Sequence, residues 1–372
     1  MALVPKVSVI IACRNERDFL GECLDSIVQN DYPHDQMEIL VVDGLSEDGT
    51  RGIIESYRQR FPFIKCIDNP RRIASSAFNL GIEHASGDLI LIMGAHSTYA
   101  PDYISRCVQA SNESGADNVG GGIHVVPRTQ GLLGMAIVAA LSHRFGVGNS
   151  HFRCETSKRR WVDTVFGGCY RREVFAKIGK FNEKLVFNQD IDFNRRLCRS
   201  GGRILLDPTI VSEYHARSDL KAFCKHNFRN GSWVILALRF SDGIPFSWRH
   251  LIPLAFVASL LATGLVSLFL PVVWWFLLAI VAAYLSASLV ASISLASKER
   301  DVRYFFIMPI IFGSLHVAYG LGSLTAIFRT VSRLPALETA HHRLGHAATT
   351  PLTDGNAPQT RCSSGEFGRT SS

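Results

Sequence analysis

Val7-Ser-Val-Ile-Ile-Ala-Cys-Arg-Asn-Glu16 and Ile39-Leu-Val-Val-Asp43 are two short apolar runs that each end in polar or acidic residues. Neither shows the alternation of a half-exposed strand, so both read as strands buried on two faces, the habit of a parallel sheet covered by helices. Between them Phe19, Leu20, Cys23, Leu24, Ile27 and Val28 recur at three- and four-residue steps. That spacing predicts a helix over 18–29 with one apolar face, stopped by Tyr32-Pro33. The unit then repeats. Ser46-Glu-Asp-Gly49 opens a helix carrying Ile53, Ile54 and Tyr57, Cys66-Ile67 is a third strand, 75–84 a third helix and Leu89-Ile-Leu-Ile-Met93 a fourth strand. The expectation is an α/β fold with a βαβαβ sheet, which binds ligands at the carboxyl ends of its strands.

At 372 residues, 47% of them hydrophobic and 19% charged, the chain is too apolar for disorder and long enough for about two domains. The stretch 251–297 contains no charged residue and no histidine, and 304–328 contains only His316. A membrane span needs about 20 apolar residues. The first stretch therefore predicts two crossings, about 251–270 and 272–297, with a turn near Leu270-Pro271, and the second a third helix over 304–328. Trp274, Trp275 and Tyr304 suit interfacial anchors. The apolar segment 131–141 is too short to cross and reads as a core or interfacial helix. Expected boundaries are 1–240 for the α/β domain, 241–330 for the membrane region and 331–372 for a polar, disordered tail rich in Thr, Ser, Gly and Pro.

Arg239 and Arg249 before the first hairpin, and Lys298, Arg300 and Arg303 after it, place both flanks in the cytoplasm. The third segment then leaves Arg329 and Arg333 outside, unless Met308-Pro309 and Gly313 mark a re-entrant or interfacial turn. Both readings stand. Nine scattered cysteines without a CxxC pair suit reduced thiols in the cytosol, and the first residues carry no export-signal pattern. A multi-pass inner-membrane protein with a cytoplasmic α/β domain is expected. The net charge of +7 suits an anionic membrane or a phosphorylated ligand. No dense basic stripe with interleaved aromatics points to nucleic acid beyond a nucleotide.

Asp43-Gly-Leu-Ser-Glu-Asp48-Gly-Thr follows a strand and precedes a helix, so it is either a helix cap or, with Arg14-Asn15-Glu16 on the neighbouring strand, half of a polar ligand rim. Taken as a set, these motifs with Asn79-Leu-Gly81 and Gly87-Asp88-Leu-Ile-Leu-Ile-Met93 resemble the family 2 glycosyltransferases, inverting nucleotide-sugar enzymes of the Rossmann-like αβα GT-A fold. The resemblance covers about 5–240. It implies nucleoside contacts from Ala12, Asn15, Glu16 and Asp43, and places Arg72 and Asn79 near the diphosphate of a nucleotide sugar, expected to be a UDP-sugar. Arg72 beside Arg71 reads equally as a solvated loop charge.

The same resemblance implies a divalent cation, manganese or magnesium, held by an Asp-x-Asp after the fourth strand. This chain has Gly94-Ala95-His96 there. His96 suits the second acidic position, as in a subgroup similar to succinoglycan glucosyltransferases, with His215 a weaker second ligand. Phe187-Asn-Gln-Asp190-Ile-Asp192 resembles the segment that carries the catalytic base. Asp190 takes the base position, and Gln189 stands where Glu is usual. Asp192 reads as a surface partner of Arg195 or Arg196. Gly167, Gly168, Gln189 and Trp233 are the expected acceptor contacts, although Gly167-Gly168 is equally a tight turn. The Gln-x-x-Arg-Trp signature of processive synthases is absent, while Arg217 and Arg229 suit a diphosphate. The implied activity is transfer of one sugar to a polyprenyl-diphosphate-linked oligosaccharide at the membrane. The alternatives are transfer to polyprenyl phosphate itself, or a non-catalytic membrane component that keeps the nucleotide fold.

Overall fold

The computed structural model describes residues 4–331 except 149, 155, 156 and 242, so the expected polar tail lies outside the described residues. Nine strands form one sheet: β1 (Val7–Cys13), β2 (Met37–Asp43), β3 (Ile64–Asp68), β4 (Leu89–Gly94), β5 (Ser97–Tyr99), β6 (Asn118–Pro127), β7 (Arg160–Val162), β8 (Cys169–Arg171) and β9 (Ile204–Ala216). Its order is β3-β2-β1-β4-β8-β6-β9-β5, with β7 paired to β9. The first four strands are parallel, with α1 (Arg17–Val28), α2 (Thr50–Arg60) and α3 (Ala74–His84) as crossovers, as the repeat predicts. β8 then runs antiparallel to both β4 and β6, which turns the sheet into a mixed one.

Alternation along β1 explains its full burial. Val7, Val9 and Ile11 enter one core with Leu20, Leu24 and Ile27 of α1 and Ile104 of α4 (Tyr103–Ser114). Ile10 enters the opposite core with Leu40, Ala77 and Phe193. Each fully buried side chain of this kind contributes about 1.5–3 kcal/mol. The parallel register sets Cys13 beside Asp43, Asp43 beside Asp68 and Ala12 beside Gly94, so the strand ends share one rim.

Beyond the sheet the chain forms α5 (Leu132–Ser142), α6 (Arg144–Val147), α7 (Arg172–Ile178), α8 (Gln189–Arg199) and α9 (Leu220–Leu236). It ends in α10 (Ile252–Ser267), α11 (Val273–Glu299) and α12 (Arg303–Val331). The last three helices are long and apolar enough to cross a membrane, the first counted from Trp248. The turn between α10 and α11 falls at 268–272, as expected. α12 is one continuous helix with Pro309 inside it, so no chain reversal occurs at Met308-Pro309 or Gly313.

One side of α12 is covered by α5, where Met308, Ile311 and Phe312 pack with Ala136, Ile137 and Ala140. α9 crosses α12 through glycines. A Cβ on Gly231 would collide with the carbonyl oxygen of Tyr319, and one on Gly322 with that of Phe228. Ser323 Oγ donates to the Gly231 carbonyl at 3.0 Å. Such small-residue contacts let two backbones meet where lipid supplies no hydrophobic drive. The two sides of the expected boundary at 240 belong to one compact unit.

Candidate active site

The loops after β1 and β2 are stitched together by their own polar groups. Asn15, with φ of 56°, donates its backbone N–H to Ser46 Oγ at 2.8 Å and accepts from the Glu47 N–H at 3.0 Å. The Glu16 N–H donates to Thr50 Oγ1 at 2.9 Å. The Asp43 carboxylate is fully buried, accepting from Ser46 N–H at 3.1 Å, from Ser46 Oγ at 2.5 Å and from Arg51 Nη1 at 3.1 Å. Asp43 thus anchors the rim from beneath. Replacing it with Ala strands buried donors, and a loss of about 1–3 kcal/mol is expected in unfolding of the full chain.

Two residues expected to meet the donor diphosphate differ in how free they are. Asn79 is buried and fully used, accepting from Phe181 N–H at 2.9 Å and donating to the Phe181 carbonyl at 2.9 Å and to Glu183 Oε1 at 2.7 Å. Its side chain braces the 181–183 loop. Arg72 sits at φ of 57° on the β3–α3 turn, and among the described residues no carboxylate pairs with it.

His96 follows β4 and His215 lies near the end of β9, with the His215 N–H donating to the His96 carbonyl at 3.3 Å. His96 Nδ1 lies 3.4 Å from Glu16 Oε1 without hydrogen-bond geometry, and both His96 Nδ1 and His215 Nε2 are buried without a hydrogen-bond partner among the described residues. Orphaned imidazole nitrogens at one rim fit a cation. Among the described residues no group of three or more His, Cys, Asp or Glu is arranged around an ion position. These residues therefore supply only part of a coordination sphere.

Asp190 is the second residue of α8, after Asn188 at φ of 60°. Asn188 Nδ2 donates to the Asn230 carbonyl at 3.4 Å, which ties the start of α8 to α9. The Asp190 carboxylate is exposed, and it opens on a cavity walled by surrounding protein. Those surroundings raise its carboxyl above the ordinary value, opposed by the backbone N–H groups of Ile191 and Asp190 and by the charge of Arg153. Asp192 pairs with Arg196 at 3.1 Å, one of the two partners expected of it, but it is buried and not on the helix surface, because α8 turns this face toward the core that holds Phe193 and Leu197.

The cavity measures ≈ 580 Å³. Besides Asp190, its wall includes Arg144, Arg153, Arg217 and Arg249, and side chains of α10, α11 and α12 such as Phe256, Tyr284 and Tyr319. Of the residues expected at an acceptor, Gly167 and Gly168 form the turn before β8, where added Cβ atoms would strike Ile92 and Asn118. Gln189 Oε1 is buried and unpartnered, and Trp233 packs on Phe187 at 6.5 Å between ring centroids. None of these four lines the cavity. Arg144, Arg153, Arg249 and Tyr284 do, and no motif marks them, because they come from separate loops and helices brought together only by the tertiary fold.

Residues 8–179 match glycosyl transferase family 2. The dolichyl N-acetyl-alpha-D-glucosaminyl phosphate 3-beta-D-2,3-diacetamido-2,3-dideoxy-beta-D-glucuronosyltransferase of Methanococcus voltae is 28% identical over 324 residues, 84% of this chain and 95% of its own length. The succinoglycan biosynthesis protein ExoA of Rhizobium meliloti (strain 1021) is 27% identical over 215 residues, 57% of this chain and 64% of that protein. A mannosyltransferase from Pyrobaculum calidifontis, solved with GDP-Man and Mn2+, superposes with a TM-score of 0.56 at 20% identity, covering 87% of this chain and 88% of that one. That likeness is one of fold. On this footing residues 8–179 are similar to a family 2 glycosyltransferase domain, and the fold is that of the GT-A enzymes.

Proposed function

We propose that the protein moves one sugar, with inversion, from a nucleotide-diphosphate sugar to a hydroxyl of a polyprenyl-linked glycan at the cytoplasmic face of a membrane. The observation that carries this reading is the cavity that Asp190 shares with α10–α12, which joins the expected base to the helices fit to meet lipid. The Methanococcus voltae relative is named for a dolichyl-phosphate-linked acceptor, and ExoA for succinoglycan, which supports a lipid-linked glycan. The basic residues flanking the α10–α11 hairpin support the cytoplasmic side.

In this mechanism the rim of Asn15, Glu16 and the Ser46 turn binds the nucleoside. Asp190 accepts the proton of the acceptor hydroxyl while that oxygen forms its bond to the anomeric carbon, and the bond from that carbon to the diphosphate breaks on the opposite face. Nucleoside diphosphate leaves with the electron pair. A manganese or magnesium ion would be held in part by His96 and His215, and it would supply neutralisation of the charge on the leaving group.

The test is release of nucleoside diphosphate by membranes containing the protein, over UDP-, GDP- and dTDP-sugars with manganese, magnesium or chelator. Turnover of one donor that depends on added lipid extract is expected. Equal turnover without lipid, or by the Asp190→Asn protein, overturns the reading. His96→Ala is expected to lower manganese stimulation of turnover at least tenfold and to abolish manganese-dependent thermal protection in the presence of nucleoside diphosphate. Unchanged protection would remove His96 from the cation.

A further inference from the structure

We infer that Arg153 and Arg217 hold the phosphate or diphosphate of the acceptor lipid, so that Asp190 acts on the sugar attached directly to that phosphate. The inference rests on the proposed transfer and narrows its acceptor.

Among the described residues the cavity wall carries four arginines and one acid, Asp190. Only Arg249 has a carboxylate partner, Asp163 at 3.3 Å; among the described residues none pairs with Arg144, Arg153 or Arg217. Arg153 is half-buried between the rings of Phe152 and Tyr214, at 5.4 and 5.8 Å, and its Nη1 is buried with no hydrogen-bond partner among the described residues. An enclosed guanidinium left without an acceptor is costly unless a ligand provides one, and its fork of donors matches phosphate oxygens.

Arg217 Nη1 donates to His226 Nδ1 at 3.3 Å. Burial, with Arg217 and Arg229, pushes His226 down to about 3, so the ring stays neutral and accepts this bond. Arg217 is thereby held in place with its charge unspent.

Two features separate this anion from the donor's diphosphate. Asn15, Glu16, Asp43 and His96, the proposed donor rim, do not line the cavity, although the His96 ring abuts the wall residue Tyr214 at 5.3 Å between centroids. The wall continues instead into Pro253, Phe256, Tyr284, Leu315 and Tyr319, apolar and aromatic surface suited to an isoprenoid chain. A head of one or two phosphates on an apolar chain meets both kinds of wall. Arg153 is near enough to Asp190 for its charge to oppose the rise of that carboxyl. Phosphate and accepting hydroxyl therefore share one cavity of ≈ 580 Å³, which leaves the base reaching the first sugar. A reaction that attaches a first sugar to a polyprenyl phosphate must supply this substrate.

The experiment uses the full chain in lipid nanodiscs, with farnesyl diphosphate as probe and farnesol, inorganic pyrophosphate and UDP as comparisons. Farnesyl diphosphate is expected to bind at least tenfold tighter than farnesol or pyrophosphate, and UDP is expected not to displace it. Arg153→Gln and Arg217→Gln each weaken it about tenfold or more. Asp190→Asn, which removes the wall's anion, tightens it, an effect that loss of folding does not produce. Displacement by UDP, equal binding of pyrophosphate, or indifference to both arginine variants overturns the anion site. In membranes given labelled donor, mild acid is expected to free a disaccharide from the lipid; a longer glycan overturns the first-sugar assignment. Absence of any labelled lipid counts against the proposed transfer, while farnesyl diphosphate binding still decides the anion site.

Discussion

Asp190→Asn abolishes transfer, a loss of about 10²–10⁴-fold for a positioned base, while nucleotide-sugar binding persists because Asp190 lies apart from the donor rim. Initial-rate measurements beside donor-binding titrations check this, and a variant that retains a tenth of wild-type turnover refutes the assignment. The pH profile carries a second signature. In the proposed mechanism the base works ionised, and its surroundings raise its carboxyl above the ordinary value, so the rate is expected to fall as pH drops through a midpoint higher than that of an ordinary aspartate. Arg153 opposes that rise. Arg153→Gln therefore moves the acid limb to higher pH, whereas a variant that merely loosens folding lowers the rate without moving the limb.

Gly322→Val is the second large effect. The new Cβ would meet the backbone carbonyl of Phe228, which no rotamer change can relieve, so α9 and α12 must part. Overpacking costs about 1–3 kcal/mol even where side chains can yield. The expected result is loss of monodisperse protein after detergent extraction and loss of transfer, with Gly231→Val behaving alike. Gly313→Ala is the control, since nothing lies within 4 Å of its added Cβ. Equal yields for Gly322→Val and Gly313→Ala would show that the crossing tolerates separation.

The parallel half of the sheet was legible because its signals are local. Doubly buried strands have no alternation, α1 has one apolar face, and both lie within 40 residues of each other in sequence. The C-terminal helices were legible for the same reason, from bare apolar length. Their packing was not, because Gly231 and Gly322 reveal a crossing only when two distant helices meet. The site divides likewise. Asp190 stands in a recognisable segment, and His96 at a strand's carboxyl end. That Asn79 also braces Phe181 and Glu183 was not legible, since partners 102 and 104 residues away leave no mark in an amide's own motif. Arg153 escaped notice because it belongs to no motif, and its significance lies in an absent carboxylate.

The crossing of α9 and α12 also bears on how the enzyme is made. Ribosomes complete the sheet, Asp190 and α9 well before α12 emerges, so the newly made domain waits with one flank of α9 bare and part of its cavity wall missing. Domains fold as units from the N-terminus during synthesis, and bared apolar surface invites aggregation. Competence thus arrives last, with delivery of the C-terminal helix. If the proposed transfer holds, a domain that stays incomplete until α12 docks is kept from consuming nucleotide sugar before it reaches the membrane.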